Sequence, residues 1–110
     1  MRRDDQRLID ILEALDWIAK VVFGRTEAEL VADETLCYAV AQRLTRIGEA
    51  VARLSPEIKA RHSSVPWQDI VGLRNILVHE YFGIHWPLVW QTAVDHAPVL
   101  RAQIVGISKE

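Results

Sequence analysis

The sequence predicts an all-α protein: an up-and-down four-helix bundle with one or two short extra helices and a kinked last helix. Apolar residues recur at steps of three and four along almost the whole chain, which is the spacing of one face of an α-helix. No stretch alternates polar and apolar residues as a half-buried strand does. Four long periodic segments joined by short loops are typical of a helical bundle.

The first long helix is predicted from Asp4 and Asp5, which suit its positive start, to Gly24, a natural stop. Thr26 and Glu29 fit a capping box, so a short helical turn should follow. The apolar face of the long helix consists of Leu8, Ile11, Leu12, Leu15, Ala19 and Val22.

The second long helix is predicted to begin at Asp33, a residue that caps helices well. Ser55 and Pro56 close it and open a brief helix, because serine caps and proline is tolerated in a first turn. Residues 61–64 are a loop by composition. The apolar face consists of Leu36, Val40, Leu44, Ile47, Val51 and Leu54.

Prolines mark the remaining two helices. Pro66 starts the third, which we predict to run to about Phe82, and Pro87 lies in the first turn of the fourth. Pro98 falls inside the fourth helix, where it removes a donor and should kink the chain. The buried face of this helix is predicted to be Trp90, Ala93, Val94, Ala97, Leu100 and Ile104.

The composition is that of one globular domain, which we expect to span residues 1–110. Half of the residues are apolar and a quarter are charged, which excludes intrinsic disorder and a collagen-like repeat. The single Cys37 has no partner for a disulfide, so we interpret it as a core residue. A formal net charge of −2 argues against broad electrostatic binding of nucleic acid, so any such binding would depend on a local basic patch.

The chain shows no segment that directs it to a membrane. Its charged start lacks the apolar stretch of a signal peptide, and no apolar run approaches the ~18 residues of a membrane span. We therefore expect a cytoplasmic protein without membrane contact.

The third helix is apolar nearly all round. Leu73 and Ile76 occupy the side opposite to its main apolar face, and such a helix is normally buried on more than one side. In a small bundle, one side can pack in the core while the other packs on a second chain, so we expect a homodimer. The main face consists of Trp67, Ile70, Val71, Leu77, Val78 and Tyr81.

Arg74 and His79 on this helix are suited to chemistry on a phosphodiester. Histidine readily gives and takes a proton near neutral pH, and arginine offers a charged fork that matches phosphate oxygens. In RNA the neighbouring 2′-hydroxyl can be the nucleophile, with no metal required. The two residues lie about 140° apart around the helix axis. Either the arginine curls round, or the helix ends near His79, or two copies meet across a symmetry axis, which we favour.

A purely structural interpretation stays open for the same residues. Arg74 can pair with an acid such as Asp69 or Glu49, and a histidine near a helix C-terminus is stabilised by the helix dipole. Five basic residues either line a path for RNA or solvate an outer face: Arg43, Arg46, Arg53, Lys59 and Arg61.

The segment Arg74-Asn75-Ile76-Leu77-Val78-His79-Glu80-Tyr81 resembles the R-x-x-x-x-H-x-Y signature of HEPN-domain ribonuclease toxins, in their HepT-like branch. The resemblance covers nearly the whole chain. Further segments that resemble the family are Asp10-Ile11-Leu12-Glu13-Ala14, Ile47-Gly48-Glu49-Ala50, Leu54-Ser55-Pro56-Glu57, Val65-Pro66-Trp67, Val71-Gly72-Leu73 and Tyr81-Phe82. One departure is His85, where the family often has an aspartate, a better helix cap.

The resemblance implies a dimeric helical bundle that cleaves RNA without a metal or other cofactor, as the toxin of a type II/VII-like toxin–antitoxin pair. Arg74 and His79 of each protomer would be catalytic at a cleft between the protomers. Asn75, Arg46 and Glu49 would support them or bind RNA. An MNT-type nucleotidyltransferase antitoxin would attach AMP to Tyr81, adding negative charge beside the site. The alternative is a non-catalytic bundle that serves as a partner subunit of a nucleotidyltransferase.

Overall fold

The computed structural model describes residues 3–110, except for the side chain of Tyr81, and every regular element in this range is helical. The predicted all-α class is therefore confirmed. The long helices are α1 (Asp4–Val22), α3 (Glu34–Ala52), α5 (Trp67–His79) and α7 (Ala97–Ser108). The short helices are α2 (Glu27–Ala32), α4 (Pro56–Arg61) and α6 (Trp86–Gln91). None of the helices in the described part is long and apolar enough to cross a membrane.

The ends of the first helices follow the predicted signals. Thr26 and Glu29 form a capping box, with backbone-to-side-chain distances of 2.9 and 3.2 Å. The backbone N–H of Leu36 donates to Asp33 Oδ1 at 3.0 Å, which confirms the cap of α3. Gly24 follows the end of α1 with φ of 74°, a conformation that residues with a Cβ rarely adopt.

The core is one cluster of buried side chains in which α3 is central. This helix packs against α1 on one side and α5 on the other, and α1 also packs against α7. Cys37 of α3 is buried in the cluster, as predicted, and desolvation raises the pKa of its thiol. The most deeply buried large side chains are Ile11, Leu15, Ile18, Leu30, Val40, Val51, Val89 and Ile104.

One corrected boundary lies at the end of α5. The α-helix ends at His79, short of the predicted Phe82, because Glu80 leaves helical geometry with φ of −110° and ψ of 34°. A 3₁₀ turn over Tyr81–Gly83 follows, in which the N–H of Gly83 donates to Glu80 O at 2.9 Å. His79 therefore lies at the C-terminus of the helix rather than inside it.

The predicted kink at Pro98 takes the form of a π-helical turn, Thr92–His96, between α6 and α7. The N–H of Ala97 donates to the carbonyl of Thr92, five residues back, and Pro98 lies in the first turn of α7. A wider turn makes room for the proline ring, which would otherwise clash with the carbonyl four residues earlier. His85 precedes α6 without a side-chain cap, as expected for a residue that caps poorly.

A contact that the sequence pattern does not show joins the start of α1 to the start of α4. The Asp4 carboxylate accepts hydrogen bonds from Ser55 N at 3.0 Å and from Ser55 Oγ at 2.5 Å. The bonds from Ser55 hold the pKa of Asp4 below its ordinary value of 3.8, because they favour the ionised carboxylate.

We expect Asp4→Asn to lower the free energy of unfolding at pH 7 by about 1 kcal/mol, since it loses charge-assisted hydrogen bonds. The folded state has the lower pKa, so this stability is present above pH 3.8 and is lost as the pH falls through the folded pKa. Urea denaturation of both proteins at pH 7 and in acid measures the difference. Asp5→Asn, in the same helical turn, controls for the helix dipole. A loss of equal size at both pH values would contradict the assignment to Ser55.

Candidate active site

Arg74 lies where α5 packs on α3, and its guanidinium contacts residues of both helices. Its Nη1 donates to Asn75 Oδ1 at 2.9 Å, and its Nη2 lies 3.7 Å from Glu49 Oε1. Of the two acids that the sequence offers as partners, the structure selects Glu49, because α3 presents it to α5. The pair is partly exposed, so it contributes little to stability and serves to orient the guanidinium.

The Nε atom of Arg74 is in a different situation from its two terminal nitrogens. It is buried, and within residues 3–110 no hydrogen-bond acceptor is available to it. An unsatisfied buried N–H costs about 1–3 kcal/mol, so native structures rarely retain one without a reason. The Nε is enclosed by the bundle, so only the terminal nitrogens of the guanidinium can reach another molecule.

His79 is the last residue of α5, and its side chain is exposed. Five positions separate it from Arg74, a rise of about 7.5 Å along the axis. Of the three arrangements considered for the pair, the structure shows the helix ending at His79. Among the described side chains no hydrogen bond joins Arg74 to His79. One protomer thus brings together Arg74, Asn75 and Glu49, and leaves His79 free to face solvent or another molecule.

Arg46 lies in a polar groove of about 380 Å³ between α1 and α3, next to Glu49. Three of the five predicted basic residues line this groove, and Arg7 of α1 joins them, a residue that the sequence analysis did not single out. Lys59 and Arg61 lie on α4 and do not line this groove. The charged lining consists of Arg7, Arg43, Arg46 and Arg53 with Asp10, Glu13 and Glu49.

The four histidines are spread over the fold. His62 Nε2 lies 3.0 Å from Glu110 Oε1, and His96 lies in the π-helical turn. In the described part of the chain, no three His, Cys, Asp or Glu side chains lie together as metal ligands would.

Two apolar side chains of α5 are exposed, one on each side of the polar residues Asn75 and His79. Ile76 is 45% exposed and Val78 is 44% exposed, whereas Leu77 between them is buried. Phe82, in the 3₁₀ turn beyond the helix, is 97% exposed.

The prediction that α5 has two apolar faces needs correction. Of the residues predicted opposite to the main face, Leu73 packs against the core and Ile76 is exposed, while Val78 of the predicted main face is exposed as well. An open groove of about 500 Å³ runs beside Ile76 between α5 and the segment from Leu88 to His96.

Tyr81, the predicted site of AMP attachment, lies in the 3₁₀ turn just after α5. Its side chain is outside the described part of the structure, so the role of its hydroxyl stays a prediction. The backbone position is two residues from His79.

The site residues fall within a segment that matches a known family. The family model for Ribonuclease HepT-like proteins matches residues 11–107. A candidate RNase of Caldanaerobacter subterraneus subsp. tengcongensis is 37% identical over 97 residues, which are 88% of this chain and 87% of the relative. A candidate RNase of Methanocaldococcus jannaschii is 32% identical over 103 residues, 94% and 85% of the two chains.

A candidate ribonuclease HepT of Thermococcus cleftensis is 28% identical over 102 residues, 93% of each chain. No solved structure matches the chain. The family match covers all seven helices in part or in full and contains Arg74, His79 and Tyr81. The chain therefore belongs to the HepT-like family of ribonucleases.

Proposed function

We propose that this protein is a metal-independent endoribonuclease, the toxin of a toxin–antitoxin pair, in which Arg74 and His79 cleave RNA at a dimer cleft. The observation that carries the proposal is the state of Arg74. Its partly exposed guanidinium is oriented by Asn75 at Nη1 and by Glu49 at Nη2, and each of these nitrogens carries a second N–H group. An oriented guanidinium with unused donors is suited to a phosphate that is forming negative charge.

In the proposed reaction the 2′-hydroxyl oxygen of the RNA attacks the adjacent phosphorus, and the bond from phosphorus to the 5′-oxygen breaks. His79 takes the proton of the 2′-hydroxyl as the oxygen attacks and gives a proton to the leaving 5′-oxygen, so each cleavage site needs one His79. Arg74 neutralises the charge that builds on the non-bridging oxygens. The products are a 2′,3′-cyclic phosphate and a 5′-hydroxyl, so neither water nor a metal takes part in the cleavage step.

The exposed apolar side chains of α5 support the dimer. At about 100° per residue Ile76 and Val78 lie on either side of Asn75 and His79, so a second copy that covers these two apolar side chains also covers the site. Sedimentation that shows only monomer at micromolar concentration would contradict this part of the proposal.

The polar groove between α1 and α3 supports a path for the RNA backbone. Glu49, the partner of Arg74, lines it between Arg46 and Arg53, each of which is about one helical turn away. Lining carboxylates nearly balance the arginines, so contacts with individual phosphates are expected rather than a broad positive surface. This agrees with the net charge of −2.

The activity is tested by incubating the purified protein with single-stranded RNA in excess EDTA. We expect cleavage products that end in a 2′,3′-cyclic phosphate, and growth arrest when the protein is produced in cells. A protein that cuts no RNA and arrests no growth, yet binds a nucleotidyltransferase, would instead be the non-catalytic partner subunit.

We expect AMP to be attached to Tyr81 when the protein is incubated with an MNT-type nucleotidyltransferase and ATP. The tyrosine oxygen attacks the α-phosphorus, and pyrophosphate leaves. The intact mass should rise by whole AMP units, and Tyr81→Phe should abolish the rise. Tyr38→Phe is the matched control, because Tyr38 packs edge-on against Trp86 in the bundle. A Tyr81→Phe protein that still gains AMP would refute the site.

A further inference from the structure

The helices α3 and α5 approach each other closely at Gly48. A Cβ atom at this position would lie 2.3 Å from Cβ and 2.9 Å from Cγ of Arg74, and 3.2 Å from the carbonyl oxygen of Ile70. Carbon atoms in contact lie about 3.5–4.0 Å apart, so no side chain fits between Gly48 and Arg74. Gly48 is buried within a helix, where glycine is less stable than alanine. Space, rather than backbone conformation, is therefore what requires glycine here.

We infer that Gly48 is a positioning residue for Arg74, an inference that rests on the proposed role of Arg74 in cleavage. The missing side chain lets the first carbons of Arg74 lie directly on the backbone of α3. The next residue of α3, Glu49, then meets the far end of the same side chain. One turn of α3 thus holds Arg74 at both ends, at its stem through Gly48 and at its guanidinium through Glu49.

This arrangement also explains the buried Nε. Because the stem lies flat on α3, the Nε is carried into the contact between the helices, while Nη1 reaches Asn75. A methyl group at Gly48 would push the stem away from α3 and move the guanidinium relative to Glu49. Catalytic groups misplaced by about 1 Å can cost about 10²-fold in rate.

The test compares Gly48→Ala with Gly106→Ala. Both replace a glycine inside a helix, but a Cβ at Gly106 in α7 meets no atom within 4 Å. We expect Gly48→Ala to lower the kcat of RNA cleavage by about 10²-fold with little change in KM. Gly106→Ala should keep the wild-type rate. Equal kcat values for both variants would overturn the inference.

A second readout does not depend on catalysis. The Nε–H signal of Arg74 in an NMR spectrum reports its burial, and the signal is assigned by its loss in Arg74→Lys. We expect slow exchange with solvent in the wild type and in Gly106→Ala, and a shifted, faster-exchanging signal in Gly48→Ala. If the wild-type protein cuts no RNA, the proposed function is wrong, but the NMR signal still tests whether Gly48 positions Arg74. An unmoved signal in Gly48→Ala would overturn the positioning role.

A third comparison applies if Gly48→Ala unfolds. In an Arg74→Gly background the two side-chain atoms that clash with the new methyl group are gone, and of its three nearest atoms the Ile70 carbonyl oxygen remains. We expect Gly48→Ala to lower the melting temperature much less in that background than in the wild type. An equal loss of melting temperature in both backgrounds would show that Gly48 is needed for backbone packing of α5. It would overturn the inference that Gly48 positions Arg74.

Discussion

We expect His79→Ala to lower the rate of RNA cleavage by about 10²–10⁴-fold, the usual contribution of a positioned acid–base group. The expected loss is catalytic and not structural, because His79 is exposed at the end of α5 and supports no packing. Exposed substitutions of this kind change stability by about 0.5 kcal/mol or less. Initial rates on a single-stranded RNA in EDTA, together with thermal denaturation of both proteins, measure the two quantities separately.

His85→Ala provides the matched control. His85 is also exposed, follows the same helix and makes no side-chain cap for α6. It should keep the wild-type rate of cleavage and the growth arrest, whereas His79→Ala should lose both. Full activity in His79→Ala, or the same loss of activity in both variants, would show that His79 has no specific role in the reaction.

We expect purified mixed dimers of Arg74→Ala and His79→Ala protomers to recover about half of the wild-type rate if each site combines Arg74 of one protomer with His79 of the other. The estimate follows because every purified mixed dimer has one intact site out of two. Each variant alone should have lost about 10²-fold or more in rate. Co-production of two differently tagged variants, followed by RNA cleavage by the purified mixed dimer, measures the recovery.

The control pairs Arg74→Ala with the double variant Arg74→Ala/His79→Ala, a dimer in which no intact site can form. A mixed dimer as inactive as this control would show that each site takes both residues from one protomer. The shared cleft would then be wrong, although RNA cleavage by Arg74 and His79 would stand. The result matters because a single protomer leaves the two side chains without a joining hydrogen bond and keeps the side of α5 between them open.

The helices and their caps could be predicted because both depend on residues close together in the sequence. Thr26 with Glu29 and Asp33 with Leu36 are pairs three residues apart, so the backbone itself brings them within hydrogen-bonding distance. The R-x-x-x-x-H-x-Y spacing is likewise local to one helix. Such patterns do not predict contacts between residues far apart in the sequence, and the hydrogen bond from Ser55 to Asp4 is an example.

Local sequence patterns were sufficient to predict the helical class, the helix starts, the core position of Cys37 and the candidate residues Arg74 and His79. The packed helices add that Glu49 rather than Asp69 faces Arg74, that Gly48 makes room for the arginine stem, and that α5 ends at His79. Periodicity assigns a residue only to a face of its own helix. Which atoms meet across two helices depends on their crossing point and separation, and these follow from the packing of the whole core.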